Sequence, residues 1–291
     1  STGTTSTSTA TTRIQLGQYP DVFFTPVVDF NTYYKGDIMT SSYDGKYVSF
    51  CGKNSIYVSS NFGVSFTQQT NATAGIIYYS IQMNSTGQYQ VAVSQGVSAS
   101  NIYVSNNYGI TFVSIQNIST NNSGRWGMSI TISSDGKFIN VAGGGGAGIQ
   151  NYYSNNNGST FVLYGGLYNR ISSVMIGNTK IIAINTFSSN IITVSPITNT
   201  TEVLTSSNTF TDAIRVCCNA IGSIIIIISD VATKYWISID SGATFTEKSG
   251  FPVSIIYGKF FDNTLYLASS TGYVYKSTDY VNFTTSNTGL S

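Results

Sequence analysis

Hydrophobic and polar positions along this chain fall into short runs that alternate or are apolar throughout, each closed by turn residues. Between residues 76 and 116 these runs are "IIYYSIQM", "YQVAVSQ", "NIYVS" and "TFVSIQ". Between 127 and 165 they are "GMSITIS", "KFINVAG", "QNYYS" and "TFVLYG". Runs of this length, rich in Ile, Val, Tyr and Phe, predict β-strands. The links "SYDGK", "NSTGQ" and "SSDGK" place a glycine where a tight hairpin needs positive φ. No segment has an apolar period near 3.6, so the expected fold class is all-β.

One polar octet recurs between the third and fourth strand of each group. It reads "SSNFGVSF" from Ser59, "SNNYGITF" from Ser105, "SNNNGSTF" from Ser154 and "SIDSGATF" from Ser238. A shorter relative, "STDYVNF", starts at Ser277, and a degenerate copy, "SPITNTTEVL", at Ser195. Successive starts are 46, 49, 41, 43 and 39 residues apart. A period of roughly 40–50 residues with four strands per unit matches a propeller blade. The sequence therefore predicts a six-bladed β-propeller of four-stranded antiparallel blades, with seven blades as the alternative. Residues 1–12, "STGTTSTSTATT", read as a Ser/Thr-rich linker to something upstream, and residues 13–291 as a single propeller domain.

Within the octet, Ser59, Ser105, Ser154, Ser238 and Ser277 pair with Asn61, Asn107, Asn156, Asp240 and Asp279 two residues on. Such side chains bond to nearby backbone groups in Asx- and Ser-turns. Gly63, Gly109, Gly158 and Gly242 supply backbone freedom, and Phe66, Phe112, Phe161, Phe245 and Phe283 each offer a ring to bury between blades. The pattern S-x-D-x-G-x-x-F resembles the Asp-box, or BNR repeat, found in sialidases, sortilin-type ectodomains and a photosystem assembly factor. Asn in the first three boxes keeps the acceptor and loses the charge, which fits a turn role rather than a metal role. The resemblance implies a propeller and leaves the chemistry open, because its members include enzymes, receptors and assembly factors.

Composition narrows the chemistry. The charged fraction is 9% and the formal net charge +1, so no basic footprint for nucleic acid is expected. No apolar run is long enough for a membrane span, and no membrane insertion is expected. Histidine is absent, which removes the usual nucleophile–base pairs and the commonest metal ligand. Cys51, Cys217 and Cys218 read as buried small hydrophobes, with Cys217 and Cys218 on opposite faces of a strand. No metal, cofactor or disulfide framework is expected. Seven N-x-S/T sequons occur, about as many as so much Asn, Ser and Thr would give by chance, and carry no assignment.

Boxes and D-G turns belong to the same strand ends and should share one face. In propellers resembling this one, ligands are bound on the opposite face near the axis. Arg125, Arg170 and Arg215 are spaced by 45 residues, each at or before an inner strand. They are the candidate ligand-binding residues, aimed alike, with Trp126 beside Arg125 for stacking. A guanidinium cluster suits a carboxylate, and the resemblance to sialidases implies the same. The catalytic half of such an enzyme is not evident. Glu202 and Glu247 follow a box on the outermost strand, and Asp37 and Asp212 read as solvated loop residues. Arg13 in "TRIQ" sits in a low-complexity leader, and "AGGGGAG" from Ala142 lacks the helix a dinucleotide loop needs. Trp236 reads as core.

The expectation is a non-catalytic recognition propeller that binds a glycan or a protein surface, as an adhesin-like module of an extracellular, cell or virion surface and part of a longer chain. The alternatives are a divergent sialidase-like glycoside hydrolase and a protein-assembly scaffold.

Overall fold

A computed structural model describes residues 13–14, 22–23, 39–52, 55–69, 77–95, 100–118, 129–142, 151–164, 170–176, 180–185, 190–195, 200–204, 210, 213–219, 221–229, 234–249, 255–261 and 263–287. These residues are all-β, as expected, and form six four-stranded antiparallel sheets, each a meander in chain order. In the second sheet the strands are Ile77–Met83, Gln90–Gln95, Ser100–Ser105 and Val113–Ile118, close to the runs read from the sequence. The other sheets begin with the inner strands Met39–Ser41 (first), Ser129–Ile132 (third), Arg170–Ile176 (fourth), Ala213–Cys218 (fifth) and Ile255–Phe261 (sixth). Arg13–Ile14 pairs with Val22–Phe23 in a separate two-stranded sheet.

The six-blade expectation is met in part. Five sheets, the second to the sixth, surround the axial cavity with their inner strands. The inner strand of the first is three residues long and contributes nothing to that wall. A seventh four-stranded sheet is absent among the described residues.

Adjacent sheets share apolar layers. Val91, Val93 and Ile102 of the second pack on Ile130, Ile139 and Val141 of the third. Ile182 and Ile184 of the fourth pack with Ile225, Ile227 and the fully buried Trp236 of the fifth. The box phenylalanines meet their expected role unequally. Phe112 and Phe245 are buried, while Phe66, Phe161 and Phe283 are half-buried. Phe66 lies edge-on to Phe50 of its own sheet, with ring centroids 5.0 Å apart.

Turn glycines of the second, third and fifth sheets lock each of them to the sheet before. Gly87 has φ +79°, and a Cβ there would lie 2.8 Å from the Tyr47 ring of the first sheet. Gly136 sits in the same way against Tyr89, and Gly222 against Ile176. Gly45 of the first sheet, φ +74°, faces open space. The first hairpins of the fourth and sixth sheets are the short ones, turning from Ile176 to Lys180 and from Phe261 to Thr264.

The boxes are self-contained turns on the face of the first hairpins. Tyr108 N donates to Gln88 O (3.0 Å) and Asn157 N to Lys137 O (3.1 Å), tying box to hairpin within each sheet. Ser105 Oγ donates to Asn107 Oδ1 (2.9 Å) and accepts from Gly109 N (3.0 Å), while Asn107 Oδ1 accepts from Thr111 N (3.0 Å). Asn107 Nδ2 donates to Thr111 Oγ1 (2.9 Å), whereas Thr244 Oγ1 donates to Asp240 Oδ2 (2.6 Å). A hydroxyl can run either way, which is why Asn and Asp interchange at this position. In the last box, one residue shorter, Ser277 Oγ accepts from Tyr280 N instead (2.8 Å).

Candidate functional site: the axial cavity

A β-bulge recurs in the inner strands and sets what reaches the axis. The register slips between Tyr78 and Ser80, Arg170 and Ser172, Ala213 and Arg215, and Ile255 and Tyr257. Such a bulge re-aims the residues that follow it. The first paired residue after the bulge is Ser80, Ser172, Arg215 and Tyr257 in the second, fourth, fifth and sixth sheets. A position that is structurally equivalent in four sheets thus carries three different chemistries.

Below these positions lies a cavity of about 360 Å³, lined by inner strands and hairpin starts of the second to sixth sheets. Among the described residues two cations line it, Arg215 and Lys259, and no Asp or Glu does. Arg215 is half-buried, with its guanidinium carbon 5.4 Å from the centroid of the Tyr257 ring, a cation–π arrangement that orients the planar fork. Apolar side chains such as Met83, Ile130, Val174 and Met175 share the wall with hydroxyls. Ser129 and Ser173 Oγ are 2.9 Å apart, Ser173 N donates to Ser129 Oγ (3.1 Å), and Val216 N donates to Ser172 Oγ (3.1 Å). Thr131 is buried with its Oγ1 unpartnered among the described residues. Ser129, Ser172 and Ser173 are thus buried links between inner strands of neighbouring sheets.

The sequence candidates fare unequally. Arg125, Trp126, Asp37, Asp212 and the glycines from 143 to 148 lie outside the described residues. Arg170 and Arg215 stand at different register positions of their inner strands. Arg170 precedes the bulge and Arg215 follows it, a shift of two residues, or ~7 Å along a strand. Glu202 and Glu247 lie on outermost strands as expected, and Glu247 meets Lys234 at 3.5 Å. Cys51 and Cys217 are buried as expected; Cys218 is half-buried and lines the cavity, with burial pushing its thiol up to about 12. Cys217 packs between the fifth and sixth sheets and Cys218 towards the fourth, so they face opposite ways. Sequence reading missed Tyr257 and Lys259; Tyr257 follows Arg215 by 42 residues, one repeat, but only the bulge register makes them neighbours.

The described aspartates are turn staples. The Thr244 hydroxyl and N–H, with Ser238, hold the Asp240 carboxyl down at about 2. Backbone and side-chain donors of Asn282 lower Asp279, and the Ser42 hydroxyl lowers Asp44. Of the sequons, Asn84 is a buried cap whose amide donates to Thr86 Oγ1 (3.1 Å), so it is closed to modification. Among the described residues there is no cluster of His, Cys, Asp and Glu able to hold a metal, and no helix long and apolar enough to cross a membrane.

Comparison with known proteins agrees with this geometry. The BNR-Asp box repeat family matches residues 56–69 and 102–115, the first two boxes. The chain carries BNR-Asp box repeats on a β-propeller fold. A structure of YCF48 bound to D1 peptide is similar to this propeller at 13% identity, covering 91% of this chain and 89% of that one, with a TM-score of 0.63. A GH74 enzyme of Niastella koreensis is similar at 14% identity and a TM-score of 0.64; the match covers 83% of this chain and 45% of the enzyme. A chain of a nidogen/laminin complex is similar at 12% identity, over 82% of this chain and 92% of that one, with a TM-score of 0.56. These likenesses establish the fold alone. No curated protein matches the sequence.

Proposed function

We propose that this propeller is a non-catalytic recognition module that holds a carboxylate of a glycan or of a protein surface in its axial cavity. The observation that carries this reading is Arg215, poised over Tyr257 in a cavity wall with no described carboxylate. A guanidinium fixed by an aromatic face is a ready bidentate donor to an anion. The described acids are lowered turn carboxyls and an outer-strand Glu247, not the facing acid pair that glycoside cleavage uses. Six sheets closing as a six-bladed ring, with the sixth beside the first, is part of the same proposal. So is display on an extracellular, cell or virion surface.

Similar propellers include both a protein bound to a peptide and an enzyme, so the test must separate binding from turnover. The experiment is a screen of the purified domain against immobilised sialylated and neutral glycans and carboxylate-terminated peptides, with Arg215→Ala alongside. Specific binding that Arg215→Ala weakens by about tenfold or more, with an unchanged melting temperature, supports the reading. Binding untouched by Arg215→Ala overturns the cavity as its seat. Release of sugar from a bound glycan replaces the non-catalytic reading with a glycosidase.

A further inference from the structure

The axial cavity has two chemically different sides. Its charged lining residues, Arg215 and Lys259, come from the fifth and sixth sheets. The third and fourth sheets contribute Thr131, Ser133, Ser134, Ser172 and Ser173, so among the described residues every polar side chain lining that side is a hydroxyl. Ile130, Ile132, Val174 and Met175 stand among them.

Most of the buried hydroxyls on this side are already engaged. Ser133 Oγ donates to Asp135 Oδ1 (2.6 Å) and accepts from Phe138 N (2.9 Å). Ser172 Oγ accepts from Val216 N (3.1 Å), and Ser173 Oγ lies 2.9 Å from Ser129 Oγ. Thr131 differs: it is 8% exposed and its Oγ1 has no partner among the described residues. Alternation along the strand turns it to the same side as Ser129, towards the fourth sheet. Tyr78, Ser80, Ser94, Asn151, Ser229 and Trp236 also bury a polar atom without a partner, and none of them lines the cavity. An unpaired buried hydroxyl costs stability that a valine of the same shape would not. At the cavity wall a ligand can supply the missing bond.

We infer that Thr131 is a specificity-determining residue of the axial cavity, and that its Oγ1 bonds a hydroxyl of an acidic saccharide whose carboxylate sits at Arg215. The inference rests on the recognition reading and deepens it by choosing a glycan over a protein surface. At about 360 Å³ the cavity is the size of a small-ligand site, so one sugar residue can face both sides. A sugar acid carries a carboxylate, several hydroxyls and the C–H groups between them. These match the guanidinium, the Thr131 hydroxyl and the aliphatic side chains in turn. A peptide carboxylate supplies the anion, but its backbone offers only N–H donors and C=O acceptors of fixed role. Asp44 and Asp135 do not weaken the charge argument. Each is a turn staple that accepts from a serine Oγ and from the N–H of a lysine two residues on, and neither lines the cavity.

The test uses immobilised acidic glycans, sialylated and uronate-bearing, beside neutral glycans and carboxylate-terminated peptides. Wild type, Thr131→Val, Thr131→Ser and Arg215→Ala are compared, and melting temperatures are recorded without ligand. Thr131→Val keeps the shape and deletes an unpaired hydroxyl, so it should melt at or above the wild-type temperature. The expected result is acidic-glycan binding weakened by about tenfold or more in Thr131→Val and kept in Thr131→Ser. Binding that falls with Arg215→Ala but ignores Thr131→Val overturns this subsite and leaves the recognition reading standing. Binding that ignores Arg215→Ala overturns both, whatever Thr131→Val does. A Thr131→Val protein that melts well below wild type has lost a structural hydrogen bond, which also overturns the subsite. Binding confined to peptides or neutral glycans, or no binding at all, overturns the acidic-saccharide assignment.

Discussion

The periphery and the axis of this propeller use the same repeat in opposite ways. At the periphery the boxes repeat one hydrogen-bond scheme, and an Asn or an Asp satisfies it equally, as Asn107 and Asp240 do. At the axis one bulge-defined position holds Ser80, Ser172, Arg215 and Tyr257 in turn. Repetition therefore marks where the chain builds structure, and departure from repetition marks where chemistry is available.

The sharpest way to break this comparison is at the turn glycines, which look alike in sequence and differ in surroundings. Gly87→Ala puts a Cβ 2.8 Å from the Tyr47 ring at φ +79°. The left-handed conformation and the overlap together should cost about 2–4 kcal/mol. Gly45→Ala has a similar φ, +74°, and open space, so only the conformational cost of about 1 kcal/mol is expected. Chemical denaturation of both variants reads the difference. Equal losses would mean that Gly45 is as crowded as Gly87.

How much of this was legible in the sequence follows the same division. The strands, the hairpin glycines and the boxes could be read because local side-chain and backbone chemistry specifies them. The Ser105–Asn107–Gly109 network closes within five residues and needs no knowledge of the rest of the chain. The axis could not be read so directly. Arg170 and Arg215 are 45 residues apart, yet one precedes the bulge and the other follows it. A bulge leaves no mark in "RISSVMI" or "AIRVCC", because only cross-strand pairing defines it. Buried serines escape a sequence reading for a related reason. Ser129 and Ser173 look like surface residues until the inner strands bring them within 2.9 Å of one another.

That serine pair supplies the next test. Ser173 Oγ contacts Ser129 Oγ, and Asn140 Nδ2 donates to it at 3.4 Å. Ser173→Ala removes these contacts from a buried site and should lower stability by about 1–2 kcal/mol, read as a denaturation midpoint. The residue lines the axial cavity, so glycan affinity measured in parallel reports whether the wall tolerates the loss. A neutral effect on stability would show that the inner strands are held by packing alone.

The smallest effect belongs to the interchangeable box position, and its sign follows from the acid. Asp240 titrates at about 2 in the folded chain against a model-compound value of 3.8, lowered chiefly by the Thr244 hydroxyl. A depressed carboxyl contributes stability that is fully present above the unfolded value and is lost as the pH falls through the folded one. Stability should therefore decline between about pH 4 and pH 2. Asp240→Asn should leave the melting temperature at neutral pH nearly unchanged, since Thr244 can accept from the amide as Thr111 does from Asn107 (2.9 Å). The same variant should flatten the acid decline, leaving the part contributed by Asp279, which its turn lowers in the same direction. Melting temperatures measured across that window decide the matter. A variant destabilised at neutral pH, or one with an unaltered acid slope, would mean that the charge and not the acceptor geometry matters in the fourth box, and the equivalence of Asn and Asp around the ring would fail.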